Sequence, residues 1–381
     1  MGEPRRIRKT SVQQKIVGCF ATAIISLSAI FGSFYILLPL LPLMFINHTI
    51  WRKIVDRLVG FWLILPSSIV EYIYGVQFTV TGDKIETDEP ALFIMNHRTR
   101  LDWLFFWNAL FRIDPWLLTT EKISLKGILK HLPGVGWAMG CSMYIFLDRS
   151  FDSDHDRIKA LLNYYKNSGF NYQLLLFPEG TDKCEFATAR NDQYEMQKHL
   201  EHFNYVLHPK TTGFAYIVNE MRRLDYIKNI YDVTVGYADS IVQSEMDLFC
   251  HGACPRNVHF CIRKIPIATL PQSETSLSQW LKTVWKTKEK NLAFFYEGST
   301  IESHHFQNAG NVYEVTPGKK IVQASIVIVW LFMTAVWFTV FWMYNLQFVL
   351  AFLAFLVFIG SQVFYGGIEW IAVRVASGNR R

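Results

Sequence analysis

Two long apolar runs near the C-terminus, residues 321–344 and 346–365, restrict the fold more than any other feature of the chain. A helix needs roughly 20 apolar residues to cross the hydrocarbon core of a bilayer. Each run meets that length, so each is expected to be a transmembrane helix. Only Asn345 separates them, with Gln347 close by, which makes the pair a tight hairpin. Lys319 and Lys320 precede it, and Arg374, Arg380 and Arg381 follow it. Basic flanks favour the cytosolic side, so both outer ends are expected there. The folded region leading into Lys319 is then cytosolic too.

A second apolar region lies near the start. Residues 16–46 are almost continuously apolar, with Pro39 and Pro42 near the end and a polar, basic stretch from Arg5 to Lys9 ahead of them. No small-residue cleavage site of the secretory kind is present, so a retained anchor is expected. The run exceeds one span and falls short of two, as a kinked or re-entrant helix would. Residues 58–75, interrupted by Pro66 and Glu71, read as a returning arm lying in one leaflet. A hydrophobic share of 51% and a mean hydropathy of +0.15 agree with membrane contact. The net charge of +6 sits mostly beside the apolar runs. That distribution suits an anionic leaflet and argues against nucleic acid as a partner. Cys250, Cys254 and Cys261 cluster loosely with His251 and His259 but lack a close Cys-x-x-Cys pair. They read as free thiols, and no metal is expected.

Between these regions the composition is that of a globular domain. Short apolar runs at 91–95, 143–147, 174–177, 205–207, 233–237 and 258–262 have strand length. Helical patterns fall between most of them, at 152–168 with Gly169 as C-cap, at 213–223, and at 276–295. The fold class is therefore α/β: a mixed, partly parallel sheet flanked by helices, with N-terminal membrane-embedded helices and a C-terminal transmembrane hairpin. The expected division is a basic segment and anchor at 1–75, an α/β domain at 76–298, a linker at 299–320, and hairpin plus basic tail at 321–381.

The chemistry gathers at strand ends. The run 91–95 ends on Asn96 and His97, and Asp102 follows His97 by five residues at the start of a helical run. Residues five apart on one helix do not face each other. His97 and Asp102 can meet only if His97 lies in the loop before the helix and Asp102 in its first turn, with Thr99 as the cap. Asp102 would then accept from one imidazole nitrogen and leave the other as a general base. By itself this spacing is more often coincidence than a dyad. Two other runs end similarly, in Asp148-Arg149 and in Pro178-Glu179-Gly180-Thr181-Asp182. Ligand crevices in α/β sheets lie beyond the carboxyl ends of the strands. Arg149 offers a forked phosphate donor there, Glu179 an acceptor for a hydroxyl, and Gly180 close backbone approach.

Together these blocks, with Val206 to Phe214 as a fourth, resemble the glycerophospholipid acyltransferase family. The stretches around Asn96 to Trp103 and Pro133 to Met139 are similar to its lysocardiolipin acyltransferase branch, as is 258–271. The resemblance covers nearly the whole chain. It implies transfer of a fatty acyl group from acyl-CoA, as co-substrate, to a lysophospholipid hydroxyl at a bilayer. No further cofactor is implied. It assigns His97 as base and Asp102 as its orienting partner, and gives Asn96, Arg149, Glu179, Gly180, Thr181, Pro209 and Lys210 to substrate binding. It also implies a multi-pass protein of the endoplasmic reticulum membrane with its site facing the cytosol. Many members carry a basic residue after Glu-Gly-Thr, where this chain has Asp182. That favours a phosphodiester acceptor, such as lysocardiolipin, lysophosphatidylinositol or lysophosphatidylglycerol, over lysophosphatidic acid. The alternatives are a lysophosphatidic acid acyltransferase or a lipid-binding protein without turnover. The absence of a Gly-x-Ser-x-Gly elbow leaves an acyl-serine intermediate unsupported.

Overall fold

A computed structural model describes residues 5–7, 10–148, 150–298, 300, 303–307 and 309–378. The chain divides into two compact units that interleave along the sequence. The first comprises residues 1–20, 67–117 and 173–316, the second 21–66, 118–172 and 317–381.

The first unit is built on a mixed sheet. Its strands are β1 (Gln77–Gly82), β2 (Ala91–Met95), β3 (Gln173–Leu176), β4 (Asn229–Tyr237), β5 (Asn257–Pro266) and β6 (Asn311–Val312), in spatial order β6-β1-β5-β4-β2-β3. β2 runs parallel to both neighbours, β3 and β4, whereas β4 and β5 are antiparallel. Every residue of β2, β3 and β4 is buried, which explains why these strands are unbroken apolar or mixed runs without alternation. Its longer helices are α1 (Asp102–Ile113), α2 (Glu185–Lys198), α3 (Thr211–Arg223) and α4 (Glu274–Glu297). Alternation along β4 shows which face each helix covers. Phe105 of α1 packs on Tyr237, at a ring separation of 6.1 Å. Lys288 of α4 donates to Asp232 at 2.6 Å and to Thr234 at 3.1 Å. Odd and even positions of a strand point to opposite faces, so α1 and α4 cover opposite sides of the sheet. Gly236 makes room on the second side, because a Cβ there would meet the Phe295 ring at 2.9 Å.

The segment 205–207 is not a strand. Its amides turn away from the sheet to the Glu289 carboxylate of α4, which accepts from Asn204, Tyr205 and Val206 at 2.6, 2.9 and 3.1 Å. A buried acid with three backbone donors substitutes for a ladder partner. Trp285 and Lys288 face the core, at 0% and 1% exposure, so α4 is a packed helix here and presents neither of them to a bilayer.

The second unit holds most of the apolar helices. Among the described residues, Val12–Ile46, Pro317–Met343 and Leu346–Tyr365 are long and apolar enough to cross a membrane. The first is one helical run interrupted by a π-helical turn at Ser33–Leu37. The next helix starts at His48, well before the apolar run 58–75, and it is not among the candidate spans. It carries Arg52 and Asp56, both buried. Two short parallel strands, Glu121–Lys126 and Ile145–Leu147, and the helices Val135–Cys141 and Phe151–Ser168 complete the unit, the last ended by Gly169 in the left-handed region. Trp137 stacks on Phe358 at 4.8 Å, so the Gly134 to Met139 stretch packs against a C-terminal apolar helix.

Candidate active site

The site grows from the end of β2. Hydrogen bonding of the chain does not stop at Met95. Asn96 continues the ladder with its side chain, donating to the Val235 carbonyl at 3.1 Å and accepting from the Val235 N–H at 2.9 Å. The amide of Asn96 thus imitates a strand backbone, and with 1% of the residue exposed it anchors the loop. His97 follows, outside both strand and helix. Its carbonyl accepts from Lys183 N–H at 2.8 Å, and its own N–H donates to Glu179 Oε1 at 3.3 Å.

Asp102 is the first residue of α1, and Leu101, not Thr99, is the N-cap. The carboxylate reaches back over the loop. Oδ2 accepts from Thr99 N–H at 3.0 Å and stands 2.9 Å from His97 Nδ1. Oδ1 accepts from the Thr99 hydroxyl at 3.3 Å and, over a shorter separation, from the Tyr237 hydroxyl. Leu101 N–H in turn donates to Thr99 Oγ1, which orients that hydroxyl. A carboxylate only accepts, so the proton between the two sits on His97 Nδ1. Asp102 is 0% exposed, whereas the His97 side chain keeps 14% of its surface. The imidazole stacks on Phe177 at 4.1 Å, which holds its plane.

Glu179 arrives from the end of β3. It is 2% exposed, and its oxygens accept from His97 N–H, from Leu207 N–H at 3.2 Å and from Trp285 Nε1–H at 3.2 Å. Burial pushes this carboxyl up to about 7, opposed by the nearby His97 and by the three N–H donors. Glu179 therefore ties the His97 loop, the 207 loop and α4 together. Gly180 follows with φ +74, and a Cβ there would sit 3.1 Å from Lys210 Nζ. Lys210 donates its backbone N–H to the Pro178 carbonyl at 2.8 Å and begins α3 as its N-cap. Pro209 is buried and Thr181 half-buried. Asp182 is buried too. It accepts from Gln243 at 2.8 Å and lies 3.5 Å from Arg100 Nε, so its charge is bound within the protein. Arg149 lies outside the described residues, as do Arg380 and Arg381.

The structure thus brings Asn96, His97, Asp102, Glu179, Gly180 and Lys210 together. It gives a role to Phe177, which opens the Glu179 block, and adds Tyr237 and Trp285, which the motifs alone do not single out. Alternation was the available signal for Tyr237: it ends the 233–237 run on the same face as Val235. The loose cysteine and histidine cluster yields no candidate metal group among the described residues. Asp192, Glu195 and His202 do approach within 4.8 Å of one another. Glu195 there accepts from His202 at 2.7 Å, Asn191 at 2.7 Å and Phe203 N–H at 3.1 Å, a clamp on the end of α2.

Residues 77–238 match the family described as Acyltransferase, and residues 249–330 the one described as Acyltransferase C-terminus. Lysophosphatidylinositol acyltransferase 10 of Caenorhabditis elegans is 45% identical over 282 residues, covering 74% of this chain and 72% of its own. Lysocardiolipin acyltransferase 1 of Gallus gallus is 36% identical over 359 residues, covering 93% of each chain. The protein of the same name from Danio rerio is 42% identical over 279 residues, covering 73% and 71%. All of the site residues just described except Trp285 fall within the first matched region.

Proposed function

We propose that this chain, which belongs to the acyltransferase family and is an acyltransferase, moves a fatty acyl group from acyl-CoA to the free hydroxyl of an anionic lysophospholipid. The observation that carries the reading is the contact of His97 Nδ1 with the fully buried Asp102 carboxylate, which leaves Nε2 as a base. In this mechanism Nε2 removes the proton of the lysolipid hydroxyl as its oxygen attacks the thioester carbonyl. The C–O bond forms and the carbonyl pair moves to oxygen. Collapse of the tetrahedral intermediate breaks the C–S bond, and the proton on Nε2 passes to the departing CoA sulfur. Asp102 holds the ring and balances the imidazolium formed between the two transfers.

The names of the relatives support lysophosphatidylinositol or lysocardiolipin as acceptor. Lys210, whose Nζ lies over Gly180, supports an anionic acceptor, and the family resemblance assigns phosphate binding to Arg149. Lys319 and Lys320 before the apolar pair, with Arg374 after it, support a cytosolic site, and endoplasmic reticulum residence follows from the resemblance. The test is purified protein in lipid nanodiscs, given radiolabelled acyl-CoA and a panel of lysocardiolipin, lysophosphatidylinositol, lysophosphatidylglycerol and lysophosphatidic acid. Acylated product from a phosphodiester acceptor, lost in His97→Ala, supports the reading. Equal product from correctly folded His97→Ala, or free fatty acid formed without any lysolipid dependence, sinks it.

A further inference from the structure

Asp102 is held from two sides. From its own loop come Thr99 N–H, the Thr99 hydroxyl and His97. From the sheet beneath comes, among the described residues, one group, the hydroxyl of Tyr237 at the end of β4. We infer that Tyr237 is a positioning residue for the reaction, fixing the Asp102 carboxylate through Oδ1 so that Oδ2 is aimed at His97 Nδ1. This rests on the acyl-transfer reading given above.

Three observations lead there. Tyr237 is 0% exposed, so its hydroxyl has no water to bond and must donate within the protein. The group it donates to is a carboxyl oxygen that otherwise accepts, among the described residues, only from Thr99, so the phenol is a main support of that oxygen. Two residues earlier on the same face of β4, Val235 holds Asn96 by two bonds. The 96–102 loop is thereby gripped at both ends by one strand, at Asn96 through backbone and at Asp102 through a phenol. A strand is a better template for a catalytic pair than the loop itself, because its ladder with β2 and β5 fixes it. Without the Tyr237 bond, Oδ1 would retain, among the described residues, only the Thr99 hydroxyl at 3.3 Å, on the same loop as the carboxylate. The carboxylate could then rotate about χ2 and lose its aim at the imidazole.

The ring serves a separate purpose, packing on Phe105, and Tyr237→Phe leaves that contact intact. The experiment uses the full chain in nanodiscs, with Tyr237→Phe, Asp102→Asn and the double variant, assayed with radiolabelled acyl-CoA and lysophosphatidylinositol. Tyr237→Phe is expected to lower kcat about 10-fold with KM for both substrates unchanged, as loss of a bond that aims a catalytic group should. In the Asp102→Asn background the same change is expected to cost nothing further, since its target is already gone. Parental kcat in Tyr237→Phe overturns the proposal while leaving the base assignment standing. A double variant that loses activity by the product of the two single losses overturns it too, since Tyr237 would then act independently of Asp102. So does an unfolded Tyr237→Phe beside a folded Asp102→Asn, because the hydroxyl would then be serving the fold. Parental activity in Asp102→Asn would instead remove the acyl-transfer mechanism itself, and the proposal with it.

Discussion

Each unit buries a carboxylate under several donors, and the two clusters differ in what is left over. In the second unit, Asp56 accepts two bonds from Arg52, at 2.9 and 2.7 Å, one from Lys122 at 2.8 Å and one from Tyr172 at 2.7 Å. Arg52 also donates to the Cys141 carbonyl. Burial works against the charge on Asp56, but Arg52 and Lys122 together hold its carboxyl below the usual range. All of these groups are at most 7% exposed. Arg52 also reaches Tyr164, whose hydroxyl stands 2.6 Å from His48 Nε2, so the network runs on to a half-buried imidazole that does not touch the carboxylate. In the first unit Asp102 is equally crowded, yet one partner, His97, keeps 14% of its side chain exposed. The two carboxylates differ in their direct partners: backbone, hydroxyls and one imidazole around Asp102, two basic side chains and a phenol around Asp56. The number of hydrogen bonds does not distinguish the two; on the proposed mechanism, the partly exposed imidazole does.

Substitutions can break or sharpen that contrast. The largest effect is expected in the open cluster. His97→Ala should lower kcat by about 10³-fold, and Asp102→Asn by a similar factor by favouring the wrong tautomer. Both should fold, because Asn still accepts from Thr99 N–H. Acyl-transfer rates beside thermal unfolding of the same preparations would show this, and a variant that loses stability rather than rate would erase the distinction between the clusters.

The next effect is the mirror image. Asp56→Ala strands Arg52 and Lys122 without their counter-charge and should cost about 3–5 kcal/mol of stability. The specific activity of whatever folded protein remains should be unchanged. A sharper form removes the ions altogether. Replacing Arg52, Asp56, Lys122 and Tyr172 together by apolar residues of similar volume should recover most of that loss, as for other buried ion clusters. No comparable apolar replacement of His97 and Asp102 can restore turnover. Unfolding midpoints of the single and quadruple variants decide the matter, and a quadruple variant as unstable as Asp56→Ala would show that the ions themselves are needed.

How much of this was legible beforehand follows the range of the interactions. The His97–Asp102 geometry is local, five residues apart, and the sequence alone required the loop-then-helix arrangement that the structure has. The long apolar helices were equally local, since length and hydropathy are read off directly. The partners of Asp102 and Glu179 were not. Tyr237 lies 135 residues from Asp102, and Trp285 lies 106 from Glu179. The motifs named the Glu179 block but suggested that it faces ligand. Only the packing of α4 shows that Trp285 and two backbone amides occupy its oxygens. The strand assigned to 205–207 failed for a related reason: its apolar run was real, but a distant acid, Glu289, takes its amides. The segment Glu121–Lys126 was not recognised as a strand, because Glu121 and Lys122 are charged, and only Asp56 makes a buried Lys122 tolerable.

Glu179 offers a third measurement, because it stands between the two cases: buried and fully bonded like Asp56, yet touching His97. Its folded-state pKa is raised to about 7, chiefly by burial. Its contribution to stability is then fully present below the ordinary glutamate range, near 4.5, and is lost as pH rises through about 7. Gln cannot ionise, so the stability gap between the parent and Glu179→Gln should narrow by up to about 3 kcal/mol across that window. Unfolding midpoints of both proteins between pH 4.5 and 8 give the answer. A gap that widens with pH would mean that the three N–H donors outweigh burial and that Glu179 is ionised throughout.

The smallest effect isolates one of those donors. Trp285→Phe removes the indole N–H from Glu179 Oε1, which keeps His97 N–H at 3.3 Å as a second donor, and with it part of a fully buried ring. A lost bond to a carboxylate that retains other partners should cost about 1–2 kcal/mol. If Glu179 only braces the fold, kcat should stay within about twofold, since an interaction made equally in ground and transition states leaves the chemical step alone. If the brace instead sets the position of His97, kcat should fall along with stability, and Glu179 would belong with the open cluster. Rate and unfolding midpoint measured on the same Trp285→Phe preparation therefore assign Glu179 to one side of the comparison or the other.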